Sequence, residues 1–359
     1  MTPLDRVYVI AEAGVNHNGS LSLAKQLIDA AAESGADAVK FQSFKAEQLV
    51  TAYAPKADYQ NKRTRESESQ LAMLKRLELD VKATSELAAH AKTKKIDFFS
   101  SLFDLESVEL ALRLDFPWMK IPSGEITNAP LLLQASRTGK PVILSTGMSN
   151  LGDIEKALGV LAFGYLHMES PPSLAAFEQA YSSNTGQRIL QENVRLLHCT
   201  TEYPAPFGEV HLRAIDVMRE AFSLPVGYSD HTTGIAVSIA AAARGAVILE
   251  KHFTLDRTLQ GPDHAASVEP CELKLMITSI REVEEALGSK IKTTTPSEGR
   301  NKSIARKSLI ASVDIAAGTL FTEVNLTCKR PGIGISPFYL WDWLGKPAER
   351  DYRKDDVIE

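Results

Sequence analysis

Cysteine is scarce in this chain of 359 residues: Cys199, Cys271 and Cys328 are odd in number, far apart and without CxxC spacing. That pattern argues against a disulfide framework or a structural zinc site, and a reducing cytoplasm is the expected setting. Long hydrophobic runs are missing as well. No stretch reaches eighteen uninterrupted apolar residues, and residues 1–6 lack the cationic segment and apolar run of a secretory leader, so neither a membrane span nor export by that route is expected. Nor is there an excess of positive charge. A net charge of −5 and an isoelectric point near 6.0 give no electrostatic reason to expect nucleic acid or an anionic membrane as partner. Any basic site must be local. Finally, no GxGxxG follows the first apolar run, which removes the usual signal of a dinucleotide-binding open sheet.

What is present is 44% hydrophobic and 24% charged residues, enough for one large core with a smaller module attached. Short apolar runs at residues 7–15, 38–42, 97–103, 118–125, 141–147, 194–200, 224–231 and 246–252 read as strands, and the segments between them carry apolar residues at helical spacing. Two stretches break the rhythm. Residues 45–69 are polar and without apolar period, as in a lid or binding loop. Residues 164–191 carry a Pro-Pro pair and a Ser-Ser-Asn turn signal and read as an excursion on the outer wall. Eight strand–helix alternations over about 285 residues predict an α/β fold, a (β/α)8 TIM barrel, with a doubly wound sheet as the competing architecture. The barrel is expected over residues 1–288, a Thr/Ser/Lys-rich linker over 289–304, and a small turn-rich domain over 305–359 that is too small for an extensive core of its own.

In a barrel the chemistry sits at the strand C-termini. Lys40, Ser101, Lys120, Ser123, Glu125, Thr201, Ser229, His231, Glu250 and His252 all fall there. The segments Gly227-Tyr-Ser-Asp-His231 and Glu250-Lys-His252 close neighbouring strands. Period-two alternation puts Ser229 with His231 and Glu250 with His252 on one face. Two imidazoles and a carboxylate converging on one rim read as a divalent-metal site with open positions, against the plainer alternative of satisfied structural histidines. Lys40 and Lys120, each in an apolar strand, are costly to bury without an anionic partner. With the hydroxyls nearby they suggest a pocket for a small multiply charged anion such as a phosphate ester. Glu125, Glu250 and Asp263 could bind sugar hydroxyls or move protons. Together these features imply joining a phosphorylated carbon nucleophile to a carbonyl compound.

The motifs AEAGVNHNGS, ADAVKFQSFKAEQL, SSLFD, WMKIPSGE, PVILSTGM, LLHCTTEYPAPF, VGYSDHTTGI, ILEKHFTLDRTLQGPDHAAS and KRPGIGISP run through nearly the whole chain. In these the chain resembles the sialic acid (N-acetylneuraminate) synthase family, phosphoenolpyruvate-dependent nonulosonic acid synthases with a C-terminal antifreeze-like (SAF, β-clip-like) domain. The resemblance implies condensation of phosphoenolpyruvate with N-acetylmannosamine, with C–O cleavage and phosphate release, in surface polysaccharide biosynthesis. It implies Mn2+ or Mg2+ held by His231 and His252. Lys40, Ser101, Lys120, Ser123 and Ser229 would hold phosphoenolpyruvate, and Gln42, Glu125, Tyr203, Glu250 and Asp263 the sugar. Arg330 would reach the N-acyl group from the other subunit of a domain-swapped homodimer. Glu125 is the candidate for moving protons. Thr201 stands where some members carry an asparagine near the phosphate, and nothing is assigned within residues 58–69.

The nearest alternative is an N,N'-diacetyllegionaminate synthase using 2,4-diacetamido-2,4,6-trideoxymannose, and a pseudaminic acid synthase is less favoured. A metal-dependent TIM-barrel hydrolase would share the histidine-rich rim without needing the lysines. A carbohydrate- or ice-binding protein built on the small module would leave the rim unexplained.

Overall fold

The computed structural model describes residues 6–57, 60, 61, 64 and 68–359. Parts of the leader reading (1–5) and of the polar connection at 45–69 (58, 59, 62, 63 and 65–67) lie outside the described residues. The chain divides into two compact units, Met1–Gly288 and Ser289–Glu359.

The first unit is a closed barrel of eight parallel strands in sequence order: β1 (Tyr8–Gly14), β2 (Ala38–Ser43), β3 (Asp97–Leu102), β4 (Met119–Ile121), β5 (Val142–Ser145), β6 (Val194–Cys199), β7 (Val226–Asp230) and β8 (Ile248–His252). β1 closes it by pairing with β8. The strands read as near-continuous apolar runs because both of their faces are covered. Around them lie α1 (Leu21–Glu33), α2 (Ala46–Leu49), α3 (Gln70–Leu77), α4 (Val81–Thr93), α5 (Leu105–Arg113), α6 (Ala129–Arg137), α7 (Leu151–Tyr165), α8 (Leu174–Ser182), α9 (Asn184–Asn193), α10 (Ala214–Phe222), α11 (Ala236–Ala243) and α12 (Pro270–Leu287). Side chains of Ser20, Ser69, Asp80, Asp104, Asn128 and Asn150 accept from first-turn N–H groups and so fix where α1, α3, α4, α5, α6 and α7 begin.

The excursion over residues 164–191 is more ordered than its turn signals suggest. Ser173 and Ser183 cap α8 and α9, and Phe177 packs edge-on against Phe163 of α7 at 5.2 Å between ring centroids. The turn residues mark the ends of two helices, not an irregular loop. No helix among the described residues is long and apolar enough to cross a membrane.

The second unit begins with a correction of the same kind. Within the Thr/Ser/Lys-rich segment, Thr295 and Glu298 form a capping box that starts α13 (Pro296–Ala305), a helix with no buried residue and therefore no apolar period to betray it. The rest is turn-rich. An antiparallel pair, β9 (Ser308–Ala311) and β10 (Leu326–Lys329), packs over a small core in which Phe321 lies between Trp343 and Tyr352.

One ion pair belongs to the barrel wall. Asp230 and Lys251 are register partners on β7 and β8, both fully buried, with Lys251 Nζ 3.0 Å from the Asp230 carboxylate. The Thr232 N–H, the Thr232 hydroxyl and the Ser238 hydroxyl also donate to Asp230, and Lys251 Nζ donates to the Thr232 carbonyl. Asp230 and Thr232 flank His231 and Lys251 precedes His252, so the pair ties together the backbone that carries both histidines. Replacing Lys251 by methionine strands a buried carboxylate, at a cost of about 3–5 kcal/mol. The midpoint of chemical denaturation should fall accordingly, and D230N added to K251M should recover part of the loss.

Candidate active site at the barrel mouth

The strand register builds the site. Glu12 on β1 is level with Lys40 on β2 and His252 on β8, Ser101 on β3 with Lys120 on β4, and Ser229 on β7 with Glu250 on β8. These side chains meet as one buried cluster. Lys40 Nζ lies 3.0 Å from Glu12 and 3.4 Å from Glu250, Lys120 Nζ lies 3.6 Å from Glu250, and the two ammonium groups donate to Ser101 and Ser145 at 2.6 Å. Ser229 donates to Glu250 at 2.8 Å.

The two carboxylates differ because their neighbours differ. Burial raises Glu12 to about 8 against the pull of Lys40. Burial would raise Glu250 too, but Lys120, Lys40 and the Ser229 hydroxyl outweigh it and hold Glu250 at about 2. Glu250 is therefore the ionised partner of both lysines. Burial lowers Lys120, whereas Glu12 and Glu250 outweigh burial at Lys40 and raise it.

The imidazoles sit beside this cluster. His231 and His252 are 5.4 Å apart between ring centroids, and Tyr203 lies against both, at 4.2 Å and 5.4 Å. Burial pushes His231 down to about 4 and His252 well below its ordinary value, so both rings are neutral near pH 7. His231 Nδ1 lies 2.6 Å from the Thr200 carbonyl, which can only accept; the proton is therefore on Nδ1, and the Nε2 lone pair lies 3.3 Å from the Ser229 hydroxyl, whose proton goes to Glu250. His252 Nδ1 is buried without a hydrogen bond, with Asp263 3.8 Å away. Two neutral rings with an orphaned nitrogen suit a divalent cation. Among the described residues no cluster of three or more His, Cys, Asp or Glu is arranged as a metal site, so such an ion would have this pair and open positions. Burial raises Asp263 to about 6.

A cavity of about 360 Å³ opens over these groups. Lys40, Ser101, Lys120, Ser123 and Ser229 line it, and so do Gln42, Thr201, Tyr203, Glu250 and Asp263 together with both histidines. Glu125, expected at the site, is not among the lining residues, and Arg330, expected from a second copy, belongs to the other unit. Glu125 ends a short 3-10 turn, half-buried, with its carboxylate bound by Asn128 at 2.7 Å and outside the lining. Arg330 is exposed on the second unit.

Glu12 and Ser145, not singled out from the sequence, are full members of the site. A carboxylate inside the run Tyr-Val-Ile-Ala-Glu carries the same burial cost that drew attention to Lys40, and that signal could have found it. Two glycines keep the space open. Gly14 follows a bulge on β1 at φ +52°, where an added Cβ would lie 3.3 Å from Glu12 Oε1 and 3.4 Å from His252. At Gly147 a Cβ would fall 2.2 Å from Thr201 Oγ1 and 2.8 Å from Ser123 Oγ.

Comparison with known proteins shows the family. The model described as NeuB family matches residues 27–292, and the SAF domain matches residues 306–359. The chain is 52% identical over 355 residues to the N,N'-diacetyllegionaminic acid synthase of Campylobacter jejuni, covering 99% of each. It is 42% identical over 338 residues to the synthase of that name from Legionella pneumophila, covering 94% of this chain and 89% of the relative. Among solved structures, the N-acetylneuraminic acid (sialic acid) synthetase of Leptospira borgpetersenii in complex with citrate superposes with a TM-score of 0.66 at 32% identity, covering 83% of this chain and 90% of that one. These matches place the chain in the NeuB family, as a nonulosonic acid synthase of the sialic acid type that joins phosphoenolpyruvate to a sugar.

Proposed function

We propose that the protein is an N,N'-diacetyllegionaminate synthase, condensing phosphoenolpyruvate with 2,4-diacetamido-2,4,6-trideoxymannose. The sequence motifs alone favoured N-acetylmannosamine as acceptor. Similarity to two diacetyllegionaminic acid synthases along nearly the full chain supports the trideoxy sugar better. For the chemistry itself, the observation that carries the reading is the convergence of two buried ammonium groups and an imidazole pair on one cavity.

Lys40 and Lys120, with Ser101, Ser123 and Ser229, hold the carboxylate and phosphate of phosphoenolpyruvate and orient its C3 toward the acceptor. A new C–C bond forms between that carbon and the aldehyde carbon of the open-chain sugar. Water adds at C2, and the resulting hemiketal phosphate breaks its C–O bond to release inorganic phosphate. The ammonium groups, both buried, face the charge that leaves with phosphate. Burial raises Glu12, Asp263 and Glu125 alike, but Glu12 and Asp263 line the cavity and Glu125 does not, which suits the first two better to take and return protons. Mn2+ or Mg2+ held by His231 and His252 would supply Lewis-acid polarisation of the acceptor carbonyl. Gln42, Tyr203 and Glu250 complete the acceptor side. Arg330 of a second copy, in a domain-swapped dimer, is proposed to add a donor for the N-acyl group. A cytoplasmic setting suits a substrate of central metabolism and three free thiols.

Phosphate release assayed with each sugar tests the acceptor. The catalytic efficiency with the trideoxy sugar should exceed that with N-acetylmannosamine by about tenfold or more; the reverse order would return the reading to a neuraminate synthase. K40M and K120M should each lower kcat/KM by about a hundredfold or more, whereas a metal-dependent hydrolase would keep its activity. Turnover should stop in excess EDTA and return with Mn2+ or Mg2+, and H252N should lose cation binding in a direct titration.

A further inference from the structure

The charged cluster accounts for only part of the cavity. Gln70, Met73, Leu74 and Leu77 of α3 also line it, and their spacing of three, four and seven places them on one face of that helix. Val15, from the loop after β1, and Phe103, just past β3, continue the surface. Val15, Met73 and Leu77 are buried and form, with Phe44, a hydrophobic cluster separate from the barrel core; Leu74 and Phe103 pack against it. An apolar cluster that ends in a cavity wall is suited to apolar ligand surface, with Gln70 as the polar group on the same helical face.

We propose that this face of α3 is the acceptor-discriminating wall of the site. It takes the C6 methyl and the methyl of the 4-acetamido group, and the Gln70 amide pairs with the acetamido group. The assignment rests on the trideoxy sugar being the acceptor. N-Acetylmannosamine carries hydroxyls at both carbons, and against leucine and methionine those hydroxyls would lose water without gaining a partner. Discrimination by such a wall is worth about 10- to 200-fold in kcat/KM.

Two measurements test it. With the wild-type enzyme, the 6-deoxy analogue of N-acetylmannosamine should be used about tenfold better than N-acetylmannosamine itself; equal or poorer use overturns the wall, whatever the preferred natural acceptor. In L74Q, a half-buried position on the exposed flank of the cluster, KM for the trideoxy sugar should rise and its advantage over N-acetylmannosamine should fall about tenfold. KM for phosphoenolpyruvate should stay unchanged, and L74M should restore the advantage. If wild-type enzyme prefers the trideoxy sugar and L74Q keeps that preference, the wall is wrong and the acceptor assignment stands. If wild-type enzyme prefers N-acetylmannosamine, both fall.

Discussion

Two lysine side chains buried in the mouth of a closed parallel barrel impose the constraint on which the rest of the site depends. An ammonium group removed from water needs anionic or hydrogen-bonding partners in place of its hydration. Glu250 supplies that to both Lys40 and Lys120, two serines accept from them, and Glu12 completes the set. Lys120 and Lys40 hold Glu250 well below the usual carboxylate range, so one carboxylate is shared between two cations that both face the cavity. Ser229 and the strand register then fix Glu250 relative to His231 and His252. One side chain therefore links the ammonium pair to the imidazole pair.

The two-residue period of the strands separates function from support. His231, Glu250 and His252 face the cavity, while Asp230 and Lys251, alternating with them, form a fully buried pair on the other side of the same strands. The wall that holds the imidazoles is thus braced by charges that never meet substrate. Glycine does the complementary work within the cavity: the approach of Thr201 and Ser123 to Gly147 leaves no room for a side chain.

Much of this was legible in the sequence because strand-end polar residues stand out against apolar runs. The barrel, Lys40, Lys120 and the paired histidines could be read from alternation and burial cost alone. Glu12 escaped because residues 7–15 read as one apolar run, although a carboxylate there calls for the same explanation as a lysine. Asp230 and Lys251 escaped because attention to the cavity face hides what the opposite face must balance. The helices at Leu174–Ser182 and Pro296–Ala305 were obscured by turn residues that act as caps and, in the second case, by the lack of any buried stripe. The lining role of α3 could not be read at all, since helical spacing marks an apolar face without saying whether core or ligand covers it. Glu125 shows the converse: a carboxylate at a strand end whose partner proves to be a neighbouring asparagine.

The central claim is that a divalent cation on the imidazole pair and phosphoenolpyruvate on the lysines occupy the same cavity together. The most direct measurement is the relaxation of the phosphoenolpyruvate 31P resonance in the presence of enzyme and Mn2+, with Mg2+ as the diamagnetic control. The account predicts strong Mn2+-dependent relaxation of enzyme-bound phosphoenolpyruvate that disappears in H252N while phosphoenolpyruvate still binds. Bound phosphoenolpyruvate whose 31P relaxation is indifferent to bound Mn2+ would contradict it.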